Sequence, residues 1–204
     1  MARKAAEDRE KDIMEAAIKI FSEKGYNAAT TSEISKEAGI AEGTLFRYFK
    51  NKKALLAKII MFSSKVIGKS IITDRLNKII EKNKDKDIKE ILKLIILDRI
   101  DLLEKNKKIF KIVVTEIQYQ EDLKEAFVNN IIFAVKDMAY GYIEHNAEIK
   151  EKLKDLDLMV VGRTLIGSVI MLVMQEEFFP NLIKVDREVQ VEQMVEMFLH
   201  GLLR

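Results

Sequence analysis

Apolar residues return at spacings of three and four along most of this chain, the repeat of a helix that buries one face. Between Glu7 and Lys24 the inward set is Ile13, Ala17, Ile20 and Phe21, with Ala16 beside them. Gly25 follows where a left-handed helix cap falls. A short second helix is predicted from Thr30 or Thr31. Thr30 with Glu33 three residues on makes a capping box, and Ile34 and Ala38 share the inner face. Gly39 breaks it. A third short helix, Glu42 to Tyr48, presents Leu45 to the same core, with Phe49 just beyond. After Asn51 a long helix starts at Lys52 and Lys53 and turns Leu55, Leu56, Ile59, Ile60 and Phe62 inward.

The same periodicity predicts helices over Asp87–Glu104, Lys107–Tyr119, Asp122–His145, Leu156–Phe179 and Asp186–Leu203. Polar runs at Lys82–Asp87 and Lys105–Lys108 mark breaks. The Phe179-Pro180-Asn181 corner is the firmest stop, because a residue before proline is disfavoured in the helical conformation. There is no internal repeat.

Composition narrows this picture. With 204 residues, 8 Gly and 1 Pro, the chain lacks the turn residues that sheet-rich sandwiches and barrels need. The absence of Cys excludes a disulfide scaffold, Cys-ligated zinc, iron–sulfur clusters and thiol catalysis. Residues 1–12 alternate charges without the apolar stretch of a signal peptide. The longest uncharged apolar run, Thr164–Gln175, has 12 residues, against about 20 for a membrane span. The expectation is a soluble, cytoplasmic, all-α protein of about nine helices, with no membrane partner.

Two short helices joined by a Gly-containing turn and braced by an earlier helix describe a helix-turn-helix, whose second helix can enter a DNA major groove. Beyond that generic pattern, the segment AAIKIFSEKGYNAATTSEISKEAGIAEGTLFRYFKNKKALL, Ala16 to Leu56, closely resembles the N-terminal domain of TetR-family transcriptional regulators. Phe21, Gly25, Tyr26, Thr31, Ile34, Ala38-Gly39, Gly43-Thr44-Leu45, Tyr48-Phe49, Lys52 and Leu55 carry the resemblance. Three positions depart from the family pattern. Phe46 stands where Tyr is frequent and lacks a hydroxyl for phosphate, Ser35 replaces a small Ala, and Lys50 stands where Pro is common. The resemblance implies a three-helix DNA-binding domain over residues 1–51. A helical ligand-binding and dimerisation domain would follow over 52–204, with the helix from Lys52 as connector. It further implies a homodimeric, ligand-responsive regulator, a repressor of a palindromic double-stranded operator.

Charge placement points the same way. The net +2 is uninformative, but Gly43–Thr73 holds Arg47, Lys50, Lys52, Lys53, Lys58, Lys65 and Lys69 and no acid. Such a cluster supplies phosphate affinity through counterion release. Lys58, Lys65 and Lys69 fit a solvated helix face more simply. The resemblance gives Lys52 a backbone-phosphate contact. Thr31 and Ser32 offer a helix N-terminus to phosphate or simply cap it. The resemblance puts Thr44 and Tyr48 on phosphate or base edges, with half-buried packing beside Phe49 as the other reading for Tyr48. Arg47 is the candidate for bidentate guanine readout. Gly43 allows close backbone approach or merely packs. Glu42 favours the helix dipole, accepts from a cytosine amine, or faces solvent.

The remaining helices carry no catalytic constellation. His145 and His200 are the only histidines and sit in no metal spacing, and no nucleophile-elbow or phosphate-binding glycine motif occurs. The expectation is a protein that is not an enzyme and uses no metal or cofactor. Gly162, Gly167 and Ser168 on one helix and Met194, Val195, Phe198 and Leu202 on the last are the dimer-interface candidates, with a monomer using the same faces as core as the alternative. Pocket candidates for a small hydrophobic effector are Phe110, Val114, Ile117, Gln118, Phe127, Asn130, Ile131, Phe133, Met138, Met171, Met174, Gln175 and Phe178. Asp98, Arg99 and Asp101 interrupt an apolar helix, as a buried network or as its exposed side. A helical small-molecule or lipid-binding protein without DNA function is the alternative from another class.

Overall fold

The structure is a computed structural model that describes residues 2–63, 73–119, 121–152 and 154–202. It gives the side chains of all of these except 2–6, 63, 122, 123, 126, 130, 131, 148, 152 and 202. The described residues form helices only: α1 Ala2–Lys24, α2 Thr31–Glu37, α3 Glu42–Tyr48, α4 Lys52–Ser63, α5 Asp74–Lys82, α6 Ile88–Lys105, α7 Lys107–Glu116, α8 Glu121–Phe127, α9 Phe133–Glu144, α10 Ala147–Lys152, α11 Leu158–Phe178 and α12 Arg187–Leu202. A 3-10 turn, Ile117–Tyr119, follows α7, and a π-turn, Val128–Ile132, lies between α8 and α9.

Local chemistry explains the ends. Thr30 Oγ1 accepts from the Glu33 N–H while Glu33 accepts from the Thr30 N–H, closing the expected capping box. At the other end of α2 the Ile40 N–H bonds to Ser35 O and the Gly39 N–H to Lys36 O. Gly39 takes φ +66°, a backbone region with a steric cost for any side chain. Gly25 does the same after α1, at φ +80°. Asn51 Oδ1 accepts the Ala54 N–H at 2.8 Å and starts α4, and Asp157 starts α11 by accepting from Met159 and Val160.

Contacts divide the chain into two units. The first joins residues 1–68 to 106–128, so α7 and α8 pack with α1–α4. Its core contains Ile13, Ala17 and Phe21 of α1, Ile34 of α2, Leu45 of α3, Leu55, Leu56, Ile59 and Ile60 of α4, and Ile112 of α7. Lys111 of α7 donates from Nζ to Ser22 O near the end of α1, at 2.7 Å.

The second unit comprises residues 69–105 and 129–204. Ile96 and Ile100 of α6, Val169 and Leu172 of α11, and Val191 and Val195 of α12 form its core. Arg187 ties the start of α12 to Glu176 of α11 and Glu104 of α6. With 21 residues and a mean hydropathy of 1.8 over its most apolar window, α11 is long and apolar enough to cross a membrane by length and composition, yet only 17% of that window is buried.

Two expectations are corrected. Asp122–His145, read as one helix, is broken by the π-turn at Val128–Ile132, where the backbone admits extra residues without losing the apolar repeat. Asp98 and Arg99 do not form an exposed side of α6. Arg99 is only 7% exposed and donates to Asp98, which also accepts from Arg75 of α5. Arg75 reaches on to Asp101 at 3.0 Å.

Candidate nucleic-acid interface

Burial of Leu45 fixes which way α3 faces. At about 100° per residue, Gly43 and Arg47 then point away from the core. Thr44 and Tyr48 flank that line on one side, Glu42 and Phe46 on the other. Gly43, Phe46, Arg47 and Tyr48 are exposed and Thr44 is half-buried. Lys50 and Lys53, just beyond, are also exposed, and with Arg47 they form no ion pair among the described residues. Ser32 is exposed at the start of α2. The outcome is one face with a helix, a guanidinium, hydroxyls and free ammonium groups. Such a set can neutralise phosphates and reach base edges.

Several expected contacts are occupied internally. Lys52 is the clearest case. Its Nζ donates to Tyr26 O at 2.7 Å, Ala29 O at 2.8 Å and Asn27 O at 3.3 Å, and lies 4.6 Å from the Tyr26 ring centroid. An ammonium has three N–H donors, and all three are used on the α1–α2 connection. In this arrangement it fastens that connection to the start of α4. Thr31 Oγ1 donates to Glu42 Oε1 at 2.5 Å, so the two helices of the motif are latched together by residues both read as DNA contacts. Lys58, in the basic stretch, is paired with Glu10 at 2.8 Å, while Lys65 and Lys69 lie outside the described residues.

Two further latches hold α1 to α2: Lys19 to Glu37 at 2.8 Å and Lys24 to Glu33 at 2.5 Å. Lys24, then the Thr30 N–H and hydroxyl, hold the Glu33 carboxyl down at about 2, against an ordinary 4.5. A carboxyl depressed in the folded state stabilises fully above its unfolded value and loses that contribution as pH falls through the folded one. Denaturant midpoints measured from pH 4.5 down to 2 should therefore drop, and Glu33→Gln should flatten the drop. An identical pH profile in that variant would contradict the assignment.

The effector and dimer candidates fall in separate places. Phe110, Val114, Ile117, Gln118 and Phe127 belong to the first unit, where Val114 and Gln118 are exposed. Phe133 and Met138 of α9 belong to the second, and Lys136 Nζ stands 5.9 Å from the exposed Phe133 ring. The side chains of Asn130, Ile131 and Leu202 lie outside the described residues. Met171, Met174 and Phe178 sit with Gly167, Ser168 and Met194 along an open groove of about 820 Å³ between α11 and α12. The groove is open to solvent, and Met171 is 65% exposed. Gln175 is buried beneath the groove and donates to Phe179 O. Val195, expected at the interface, is instead 1% exposed within its own chain's core. Gly162 is exposed and Phe198 half-buried.

Residues 13–59 match the bacterial regulatory proteins of the tetR family. The chain is 28% identical over 160 residues to the fatty acid metabolism regulator protein of Bacillus subtilis, covering 77% of each. It is similar to the crystal structure of the transcriptional regulator FadR from Bacillus subtilis in complex with stearoyl-CoA. The TM-score there is 0.62 at 25% identity, over 94% of this chain and 98% of that one. A TetR-family transcription regulator from Marinobacter aquaeolei has the same fold, with a TM-score of 0.67 at 16% identity over 98% of both chains.

Proposed function

From its membership of the TetR family of DNA-binding transcriptional regulators, we propose that this chain is a homodimeric repressor. It binds a palindromic operator through α3 and is released by an effector that carries an acyl chain. The observation that carries the DNA part is the exposed row of Gly43, Arg47 and Tyr48 with half-buried Thr44 beside it, flanked by Ser32 and by Lys50, which is unpaired among the described residues. Arg47 reads a guanine edge, while Lys50, Ser32, Thr44 and Tyr48 set position on the backbone.

The apolar groove of α11 and α12, with Met197 75% exposed at its rim, supports dimerisation. A two-fold homodimer presents two copies of α3, one for each half-site of a palindromic operator. The acyl-chain effector rests on the B. subtilis regulator bound to stearoyl-CoA and on the Met-rich character of the second unit, which holds six of the nine Met. Coupling runs through α4 and α7, whose Ile60 and Ile112 share one core with α1 and Leu45 of α3. An effector acts by binding one arrangement of these helices better than another. On this reading the functional division is a DNA-binding segment over 1–51 and a regulatory segment over 52–204. The protein acts by binding rather than catalysis, in the compartment that holds the chromosome.

Selection of duplexes from a random pool by the full-length protein tests this. The expected product is two inverted half-sites whose affinity falls steeply with salt. Arg47→Ala should cost about 1–3 kcal/mol of discrimination at one position per half-site and relax the preference there. Binding of no duplex would favour a lipid-binding protein without DNA function, and a single unpaired site would remove the dimer.

A further inference from the structure

We propose that the phenyl ring of Phe46 reads the 5-methyl group of a thymine in the major groove, next to the guanine read by Arg47. The inference rests on the DNA-binding reading above and adds a specificity residue to it. Phe46 is 47% exposed on a helix whose inward face is already filled by Leu45. It stands about 100° from Leu45, on the flank shared with Glu42 and away from Thr44 and Tyr48.

That flank cannot serve a phosphate. The ring has no donor, and the charged residue of α3 on its flank is Glu42, whose carboxylate is fixed in place by the Thr31 hydroxyl. Among the α3 residues Arg47 is the only cation, and it lies on the outward line instead. Against a polar base edge the phenyl would strip water from a hydrogen-bonding atom and return nothing, a net cost. The thymine methyl is the apolar feature that the major groove offers, and contact with it removes apolar area from water on both sides. The Glu42 carboxylate on the same flank, held by the Thr31 hydroxyl, repels a phosphate or a guanine carbonyl edge. The pair therefore favours pyrimidine edges over phosphate.

The experiment uses the full-length protein and its selected operator, with each thymine replaced in turn by deoxyuridine, which deletes only the methyl group. Wild type should lose about fourfold in affinity per half-site at one symmetric position, the worth of one buried methyl. Phe46→Ala should bind more weakly and show no such loss. Phe46→Tyr, which keeps the ring, should retain it. Far-ultraviolet circular dichroism of both variants should match wild type, since the side chain lies outside the core. Equal affinity of wild type for every deoxyuridine duplex, an operator without thymine in the half-site, or unchanged sensitivity in Phe46→Ala would overturn the assignment while leaving DNA binding intact. Failure of wild type to bind any duplex would overturn the function itself.

Discussion

Asp98→Ala is expected to lower the folding stability of the chain by about 3–5 kcal/mol, the range for removing one partner of a buried ion pair. Asp98 accepts from Arg75 Nε at 2.7 Å and from Arg99 Nε at 3.1 Å, with further contacts from the Nη2 of each. The Arg99 side chain is 8% exposed, so its guanidinium would keep a full charge in an apolar setting beside Ile96 and Ile100. Arg75 still reaches Asp101, whose carboxyl is held below its ordinary range by Lys105 and then by Arg75, but Asp101 is no substitute for the contact to Arg99. Denaturant unfolding at fixed protein concentration reads the loss. The double variant Asp98→Ala with Arg99→Leu should recover much of it, because removing both charges leaves nothing unpaired. A single-variant loss within 1 kcal/mol would show that water reaches this network.

Lys52→Ala is expected to destabilise by about 2 kcal/mol and to lower Tm by about 4–8 °C, the usual scaling for a chain of this size. Its three carbonyl bonds and the Tyr26 ring fasten the α1–α2 connection to the first turn of α4. Loss of the clamp weakens binding to every duplex alike by loosening the motif. The dependence of log K on log salt should stay near that of wild type. Lys50→Ala is the complement: its exposed ammonium bonds to nothing among the described residues, so stability should hold while the salt slope shrinks by about 0.9. If Lys52→Ala instead melts like wild type and reduces the salt slope, Lys52 is a phosphate contact and the clamp is incidental.

These two residues show where sequence reading succeeds and where it stops. Lys52 is conspicuous in sequence as a cation at a helix start, and the motif resemblance points it at DNA. Its actual acceptors are carbonyls 23 to 26 positions earlier, brought under it by the fold. No spacing rule announces them. Thr31 and Glu42, eleven residues apart, likewise each carry a plausible nucleic-acid role until the turn at Gly39 sets them against one another. Arg75 and Arg99 converge on Asp98 from α5 and α6, and Arg75 escapes notice because its own neighbours give no signal. Glu33 is different. Its capping box is local, and both its partner Thr30 and its role are legible three residues away.

By itself the sequence determined most of the helices, the capping box at Thr30 and the glycine stops at Gly25 and Gly39, but not α5, α10 or the break at Val128–Ile132. Those features depend on the period of 3.6, on the backbone freedom of Gly25 and Gly39, and on hydrogen bonds that span three or four residues. Residues within one turn of each other meet in any helix, whatever surrounds it. Tertiary structure alone decided which charges remain free to meet a phosphate and which are consumed. It put Val195 of α12 inside and left Met171 outside on α11, a helix apolar nearly all round, so that periodicity could not choose its face. It also packed α7 with the DNA-binding helices rather than with α6, its neighbour in the chain. The physical reason is the same in each case: an ammonium, a carboxylate or a methyl group answers to whatever the fold brings within a few ångströms, and that is set by every helix at once.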